Sequence, residues 1–210
     1  MINSIYNYSN IFRATQVSFA AQPTNINVSA IVVPIAQQDK PICPSCKGDC
    51  GDYTDAINHY PRYDVVDERC LKPAPMELRS DKAKGKDREF RLKPEVLDHF
   101  QEMHDAAKKD GVELLIFTAF RNRKDQEKMI QIKKAKGEEA LVAPVDHTEH
   151  HTGCTIDIKN CQEDSKVYNW LMKHGKEYGF ELSYPRNNKQ KVRYESWHWR
   201  FNEDLLPQKK

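Results

Sequence analysis

Histidine and carboxylate side chains concentrate in two short stretches of the last third of the chain. The first stretch, residues 147–157, holds three of the eight histidines and Asp157, and the second begins with Glu195 and ends with His198. A catalytic zinc site uses three protein ligands, drawn from histidine and carboxylate side chains, and keeps a fourth position for water. Together the two stretches therefore predict a site for one Zn²⁺ ion.

The spacing alone does not choose among the histidines of the first stretch. His147 and His151 stand four residues apart, as two zinc ligands on one helix would. Glu149, however, is not at the position that an HExxH helix requires, and Gly153 and its β-branched neighbours disfavour a helix. We interpret this stretch as a loop that runs into a strand, in which His147, His150 or His151 could bind the metal.

The residues around Asp157 and Glu195 predict the local conformation of the chain, which is a strand at Asp157 and a bend after Glu195. Asp157 alternates with Ile156 and Ile158, so a strand would bury the two isoleucines and turn Asp157 to the opposite face. Glu195 and His198 are three residues apart and would lie on opposite faces of a straight strand. The chain must therefore bend between them if both are to reach one metal ion.

Periodic apolar patterns predict the elements that position these residues. Apolar residues at helical spacing indicate helices, and short β-branched or alternating runs indicate strands. Helices come early and strands late, which favours an α+β fold with a small antiparallel sheet that carries the zinc site and packs with helices. The predicted helices are 94–111, 123–136 and 165–178, and the predicted strands are 112–120, 155–158, 180–184, 191–194 and 197–201.

Composition excludes two classes of partner. The chain has 210 residues, of which 39% are hydrophobic and 30% charged, with a formal net charge of +2. It contains no apolar run near the roughly 18 residues needed to span a bilayer, so we expect no membrane insertion. The near-neutral balance lacks the clustered basic residues of nucleic-acid-binding proteins, so we expect no nucleic-acid partner.

The first part of the chain differs from the rest. Arg13 is the only charged residue before Asp39, and a cysteine cluster follows. Its residues could form local disulfides or a zinc knuckle, and the spacing leaves both open. We predict a weakly ordered or docking extension over residues 1–75 and a domain that carries the zinc site over residues 76–206. The cysteines are Cys43, Cys46, Cys50 and Cys70.

The ordered series of motifs from about residue 90 to residue 201 resembles the VanY-type D-alanyl-D-alanine carboxypeptidases, a family of zinc peptidases that act on peptidoglycan. The resemblance rests on T-E-H-H-T-G-C-T-I-D at 148–157 and E-S-W-H at 195–198, which are similar to the family patterns SxHxxGxAxD and ExWH. It implies zinc binding by His150, Asp157 and His198, with Glu195 as general base.

The same resemblance implies residues that contact the substrate. The segment T-A-F-R-N-R-K-D-Q at 118–126 is similar to the family's SGYRSxxxQ segment, in which the Arg and the Gln hold the substrate. Arg121 and Gln126 occupy those positions, Thr148 stands where a Ser touches the substrate, and Tyr184 stands where a Tyr lines the pocket. Arg121 also offers a planar fork of donors suited to an oxyanion or a carboxylate.

The expected reaction is zinc-dependent removal of the terminal D-Ala from peptidoglycan stem peptides. An endopeptidase or an L,D-carboxypeptidase of the same fold is the alternative. A hypothesis of another class is a non-catalytic, zinc-stabilised binding module, against which Glu195 argues. Cys154 and Cys161 are close enough in sequence to form a disulfide that would tie the metal loop to the next segment.

Delivery to the cell wall is a separate expectation. We find no basic start followed by an apolar stretch and a small-residue cleavage site, so we predict no signal peptide. An enzyme of this kind acts in the periplasm or on the cell wall. The first 75 residues would then serve a secretion apparatus, as in an antibacterial effector that is paired with an immunity protein, or the protein would be a phage lysin.

Overall fold

A four-stranded antiparallel sheet carries the two stretches that predict the metal site. The structure is a computed structural model and describes residues 60–81, 89–138, 142–188 and 192–207. The strands follow one another across the sheet in the order β3-β4-β6-β5. They are β3 (Ile116–Thr118), β4 (Thr155–Ile158), β5 (Phe180–Leu182) and β6 (His198–Phe201).

The described residues form three α-helices, and local sequence sets where each begins. They are α1 (Pro94–Lys109), α2 (Arg123–Lys134) and α3 (Lys166–His174). Pro94 occupies the first turn of α1, where its missing N–H costs nothing. The Asn122 side chain caps α2 by accepting from the Asp125 N–H, and the Ser165 side chain caps α3 by accepting from the Tyr168 N–H.

The sheet separates an apolar face from a polar one. Ile156, Ile158 and Trp199 belong to the hydrophobic core, and the Phe180 ring packs edge-on against Phe100 of α1 at 5.9 Å between ring centroids. Successive residues of a strand point to opposite faces, so Asp157 lies on the other side of the sheet. This arrangement confirms the predicted alternation around Asp157.

Strand register brings the polar residues together. Asp157 in β4 pairs directly with His198 in β6 and with Thr118 in β3. Side chains of directly opposed residues lie on one face, only about 4.5–5.5 Å apart at Cβ. A slip of one residue would turn Asp157 into the core, so the apolar face holds this register in place.

Residues 60–81 pack against the rest of the described chain. Strand β1 (Lys72–Pro73) pairs with β2 (Arg91–Leu92), and Ala74 and Leu78 are fully buried. Upstream, the Tyr63 N–H donates to the Asp146 carbonyl at 2.7 Å. The division into residues 1–75 and 76–206 stays a prediction, but residues 60–75 share contacts with the predicted peptidase domain.

The predicted α+β class, the three helices and the 155–158 strand are confirmed, with shorter bounds for the helices. The predicted strand 112–120 is reduced to Ile116–Thr118. The predicted strand 191–194 is wrong for residues 192–194, because the Asn188 side chain bonds both the N–H and the carbonyl of Val192 and holds this segment as a loop. None of the helices in the described part of the chain has the length and apolar character needed to cross a membrane.

Replacing Gly179 with alanine should destabilise the fold. Gly179 has φ +81°, and an added Cβ would lie 2.6 Å from a ring carbon of Phe201. A left-handed backbone costs a residue with a Cβ about 1–2 kcal/mol, and overpacking costs roughly 1–3 kcal/mol more. Urea unfolding should therefore give a clearly larger loss for Gly179→Ala than for Gly111→Ala, whose φ is +73° but whose surroundings are open within 4 Å. Equal losses would show that the Phe201 contact is unimportant.

Candidate metal centre

Three buried side chains form a group that could hold a metal ion. His150, Asp157 and His198 each offer a ligand atom, and these atoms lie within 4.8 Å of one another. His150 Nε2 lies 3.4 Å from Asp157 Oδ1, and His198 Nδ1 lies 3.0 Å from the same oxygen. These are the three residues that the sequence predicts as ligands.

Hydrogen bonding orients the His150 ring. His150 lies in a short 3-10 helix (Glu149–Thr152) that Thr148 caps and that leads into β4. Its Nδ1 lies 2.7 Å from the Ala119 carbonyl oxygen. Because a carbonyl can only accept, Nδ1 carries the hydrogen and Nε2 keeps its lone pair. Burial and the nearby Arg121 lower the pKa of His150 to about 4, so the ring is neutral, as a metal ligand must be.

The His198 ring is held from both nitrogens by carboxylates. Its Nδ1 faces Asp157, and its Nε2 lies 3.1 Å from Glu149 Oε2. These hydrogen bonds outweigh burial and raise the pKa of His198 to about 10. A metal ion that binds at Nδ1 must therefore displace a proton.

Glu149 is a site residue that sequence reasoning missed. Its carboxylate is 3% exposed and also accepts from the Tyr63 hydroxyl at 3.0 Å and the Ser183 hydroxyl at 2.5 Å. Burial opposes ionisation, but hydrogen bonding to His198 and Ser183 lowers the pKa of Glu149 to about 2. The sequence offers one clue, which is that a charged residue directly precedes the predicted ligand His150.

Glu195 lies beside the group of His150, Asp157 and His198. The predicted bend is confirmed, because the His198 N–H donates to the Glu195 carbonyl across a tight turn at Ser196 and Trp197. This turn places Glu195 Oε2 3.7 Å from His198 Nδ1. Burial raises the pKa of Glu195, which suits a carboxylate that takes up and releases a proton.

Arg121 supplies a partly buried cation to the same cleft. Its side chain approaches the Thr148 hydroxyl at 3.4 Å, and its Nε has no hydrogen-bond partner among the described residues. Burial lowers the pKa of Arg121, whereas the charges of Asp157 and Glu195 raise it. A guanidinium stays charged in proteins, so a donor is available for an anionic or carbonyl oxygen.

The remaining predicted substrate residues differ in their placement. Thr148 and Tyr184 line the cleft, and the Tyr184 ring stacks on His198 at 4.9 Å between centroids. Gln126 is fully buried and is not among the lining residues; its amide donates to the Ala143 carbonyl at 2.6 Å. Gln126 thus contacts Ala143, a residue of the cleft wall. A direct contact between Gln126 and the substrate stays a prediction.

The neighbouring histidines and cysteines take other positions. His151 is buried with Nδ1 2.6 Å from the Arg121 carbonyl, and His147 Nδ1 lies 2.9 Å from the Tyr60 carbonyl, so both brace backbone near the site. Cys154 and Cys161 are free thiols, and the disulfide considered between them is not formed. Cys43, Cys46 and Cys50 lie outside the described residues, and Cys70 is an exposed free thiol.

The metal-binding group opens into a cleft of about 950 Å³. The cleft extends beyond the group to side chains of β3 and α2, including Phe117, Met129 and Ile132. Its size exceeds what a single ion or amino acid needs and matches the range of small-molecule and peptide sites, about 300–1,000 Å³.

Comparison with known proteins agrees with this geometry. The sequence profile of VanY, described as D-alanyl-D-alanine carboxypeptidase, matches residues 89–204, more than half of the chain. The chain belongs to the VanY family. The match begins just before β2 and contains the four residues His150, Asp157, Glu195 and His198.

Individual VanY-family relatives align over the same region. YodJ of Bacillus subtilis (strain 168) is 31% identical over 52% of this chain and 46% of its own length. The D-alanyl-D-alanine carboxypeptidase of Enterococcus faecalis (strain ATCC 700802 / V583) is 28% identical over 53% of this chain and 48% of its own length. The chain therefore matches about half the length of these curated relatives.

Two solved structures have a similar fold. VanYB in complex with D-alanine-D-alanine superposes with a TM-score of 0.50 at 25% identity, over 66% of this chain and 78% of the other. The LdcB LD-carboxypeptidase also gives a TM-score of 0.50 at 25% identity, over 61% of this chain and 69% of the other.

Removing Asp157 should abolish metal binding. We expect the purified protein to contain about one divalent ion per chain, and Asp157→Ala to bind it at least about 100-fold more weakly, since loss of even an outer partner costs about 10–100-fold. Metal analysis after dialysis measures this, with Asp105→Ala on the exposed side of α1 as control. A second tightly bound ion would instead support a zinc knuckle in the cysteine cluster, and an unchanged metal content in Asp157→Ala would contradict the assignment.

Proposed function

We propose that this protein is a zinc-dependent carboxypeptidase that removes the terminal D-Ala from peptidoglycan stem peptides. The observation that carries the proposal is the convergence of His150, Asp157 and His198 with Glu195 and Arg121 on one cleft. A metal-binding group, a partly buried carboxylate and a partly buried guanidinium are together the parts that peptide hydrolysis by a metal enzyme requires.

The donor set fits zinc. Two imidazoles and one carboxylate are common ligands of catalytic zinc, which they bind at about 2.0–2.2 Å. In a tetrahedral arrangement, bonds of this length leave about 3.4 Å between any two ligand atoms. The distances of 3.0 and 3.4 Å from Asp157 to the two imidazoles are close to that value. When bound, zinc supplies Lewis acidity, which polarises the scissile carbonyl and lowers the pKa of water toward about 7.

The proposed general base is Glu195. It would accept a proton from the attacking water and pass it to the nitrogen of the leaving D-Ala. Its carboxylate lies within 3.7 Å of His198 Nδ1, and proton transfer requires such proximity to the metal-binding atoms. Its raised pKa brings the carboxylate closer to the range in which it can hold the proton between the two steps.

Arg121 would stabilise negative charge on the substrate. The partly buried guanidinium lies beside Thr148 in the wall of the cleft, and the backbone that carries it is held by the Arg121 N–H, which donates to the His150 carbonyl. A preorganised cation in a site shielded from water stabilises a developing oxyanion strongly. The same fork would also suit the terminal carboxylate of the peptide.

The bond that is cut is the finer part of the proposal. Similarity to VanYB and to the LdcB LD-carboxypeptidase is equal in TM-score and identity, so an L,D-carboxypeptidase is the second candidate. An endopeptidase would need a cleft open at both ends. The family described as D-alanyl-D-alanine carboxypeptidase favours the first candidate.

Product analysis separates these reactions. Pentapeptide, tetrapeptide and cross-linked wall fragments are incubated with the zinc-loaded protein and analysed by mass spectrometry. We expect loss of one D-Ala from the pentapeptide, with the tetrapeptide and the cross-links left intact. Conversion of the tetrapeptide to a tripeptide would indicate the L,D activity, cleaved cross-links would indicate an endopeptidase, and no product would favour a non-catalytic binding module.

The variant Glu195→Gln should retain zinc and lose hydrolysis. The amide keeps the size of the side chain but cannot accept the proton, and general-base catalysis contributes about 10²–10⁴-fold to rates. We expect kcat to fall by about that factor with one zinc ion still bound. The exposed Glu203→Gln is the control. Activity of Glu195→Gln equal to that of the parent would refute the mechanism.

We also propose that the protein reaches its substrate in the periplasm or on the cell wall, where stem peptides occur. In this proposal residues 1–75 address a secretion apparatus, and the protein acts as an antibacterial effector with a cognate immunity protein. A gene for an inhibitor of this domain beside its own gene would support the effector role. A neighbouring holin gene would support a phage lysin.

A further inference from the structure

Tyr63 and Glu149 connect a segment outside the family match to the metal-binding group. The segment Tyr60–Val66 precedes residue 89, where the VanY match begins. The Tyr63 hydroxyl donates to Glu149 Oε1, and Glu149 Oε2 faces His198 Nε2. A continuous chain of two hydrogen bonds therefore runs from this segment to a predicted metal ligand.

We propose that Glu149 and Tyr63 are positioning residues that hold His198 as a ligand through Nδ1, and that the segment Tyr60–Val66 is part of the metal site. This inference rests on the proposed function only in taking zinc as the metal. It assigns to Glu149 and Tyr63 a role that neither the sequence motifs nor the match to the family includes.

The chemistry of the Glu149 carboxylate decides which His198 nitrogen binds metal. An ionised carboxylate can only accept, so its contact with Nε2 requires a hydrogen there. The hydrogen on Nε2 leaves the lone pair of a neutral ring on Nδ1, which is the nitrogen beside Asp157. Partners of this kind fix the tautomer and the ring orientation of metal-binding histidines.

The environment of Glu149 keeps the carboxylate in one place. Burying a carboxylate is costly unless hydrogen bonds compensate for lost water. The Tyr63 and Ser183 hydroxyls provide such bonds, and the Arg200 guanidinium lies 3.7 Å away. With donors on both oxygens, Glu149 is held in a single orientation relative to His198.

The segment itself is anchored at Tyr63 and again at Val66. The Tyr63 N–H donates to the Asp146 carbonyl, and the Val66 N–H donates to the His151 carbonyl at 2.9 Å. Both acceptors belong to the loop that carries His150. The backbone that presents Tyr63 is therefore fixed to the loop that presents a second predicted ligand.

Tyr60 gives the segment a second route to His198. Its ring contacts Tyr184 edge-on at 6.0 Å, and the Tyr184 ring stacks on His198 at 4.9 Å. Tyr60 also lines the cleft. The segment thus supports His198 through the Glu149 hydrogen bond on one side and through stacked rings on the other.

The test is zinc affinity in full-length point variants. Zn²⁺ dissociation constants are measured by competition with a chromophoric chelator for the parent, Tyr63→Phe, Glu149→Gln and Glu149→Ala. Loss of a partner behind a metal ligand typically weakens binding by about 10–100-fold. We expect Glu149→Ala near the upper end, Tyr63→Phe near the lower end, and Glu149→Gln, which keeps an acceptor oxygen, between them.

A spectroscopic readout separates positioning from general loss of structure. With Co²⁺ in place of zinc, the visible absorption bands report the ligand geometry, and we expect them to shift in Glu149→Ala and to return toward the parent in Glu149→Gln. Tyr178→Phe is the matched control, because it removes a hydroxyl from a partly buried tyrosine that packs on Trp170, away from the site. It should leave both measurements unchanged.

The outcomes distinguish this inference from the proposed function. If Glu149→Ala does not fold, Tyr63→Phe, which loses one oxygen atom, still decides the result. Zinc affinities equal to that of the parent in both Tyr63→Phe and Glu149→Gln would overturn the inference and leave the peptidase proposal standing. A parent protein that binds no zinc would overturn the proposed function.

Discussion

The contact of Asp157 with two imidazoles is the interaction on which the rest of the site depends. A carboxylate that is 8% exposed is stable only where positive or polar partners surround it. Burial would raise the pKa of Asp157, but His150 and His198 lower it well below its ordinary value. The anion therefore depends on the two rings beside it, and a metal ion would take the place of the proton that His198 Nδ1 directs toward Asp157.

The fold brings Asp157 and the two histidines together because the two faces of one sheet have different roles. Ile156, Ile158 and Trp199 fix the register of β4 and β6 from the apolar face, and that register sets Asp157 opposite His198. The loop before β4 supplies His150, and the turn before β6 supplies Glu195. Hydrophobic packing on one face thus determines the spacing of the charged groups on the other. A shift of register by one residue would turn the charged groups into the core and is therefore strongly disfavoured.

The sequence was sufficient to predict the α+β class and the helices, because apolar periodicity is a local signal, and through the resemblance of its motifs to the VanY family it also implied His150, Asp157 and His198 as the candidate metal ligands. It could not predict Glu149, since the contacts of that carboxylate come from residues far apart in the chain: Tyr63, Ser183 and His198. The predicted strand at 191–194 failed at residues 192–194 for a different reason. The Asn188 side chain alone hydrogen-bonds both backbone groups of Val192. The strand propensity of the residues at 191–194 gives no indication of this contact.

The most direct measurement is a crystal structure of the zinc-loaded protein with anomalous data collected at the zinc edge. We expect one strong peak with bonds of about 2.0–2.2 Å to His150 Nε2, an Asp157 oxygen and His198 Nδ1. His198 Nε2 should remain hydrogen-bonded to Glu149, and Glu195 should face the remaining coordination position. A peak bound by His147 and His151, or by His198 through Nε2, would contradict it.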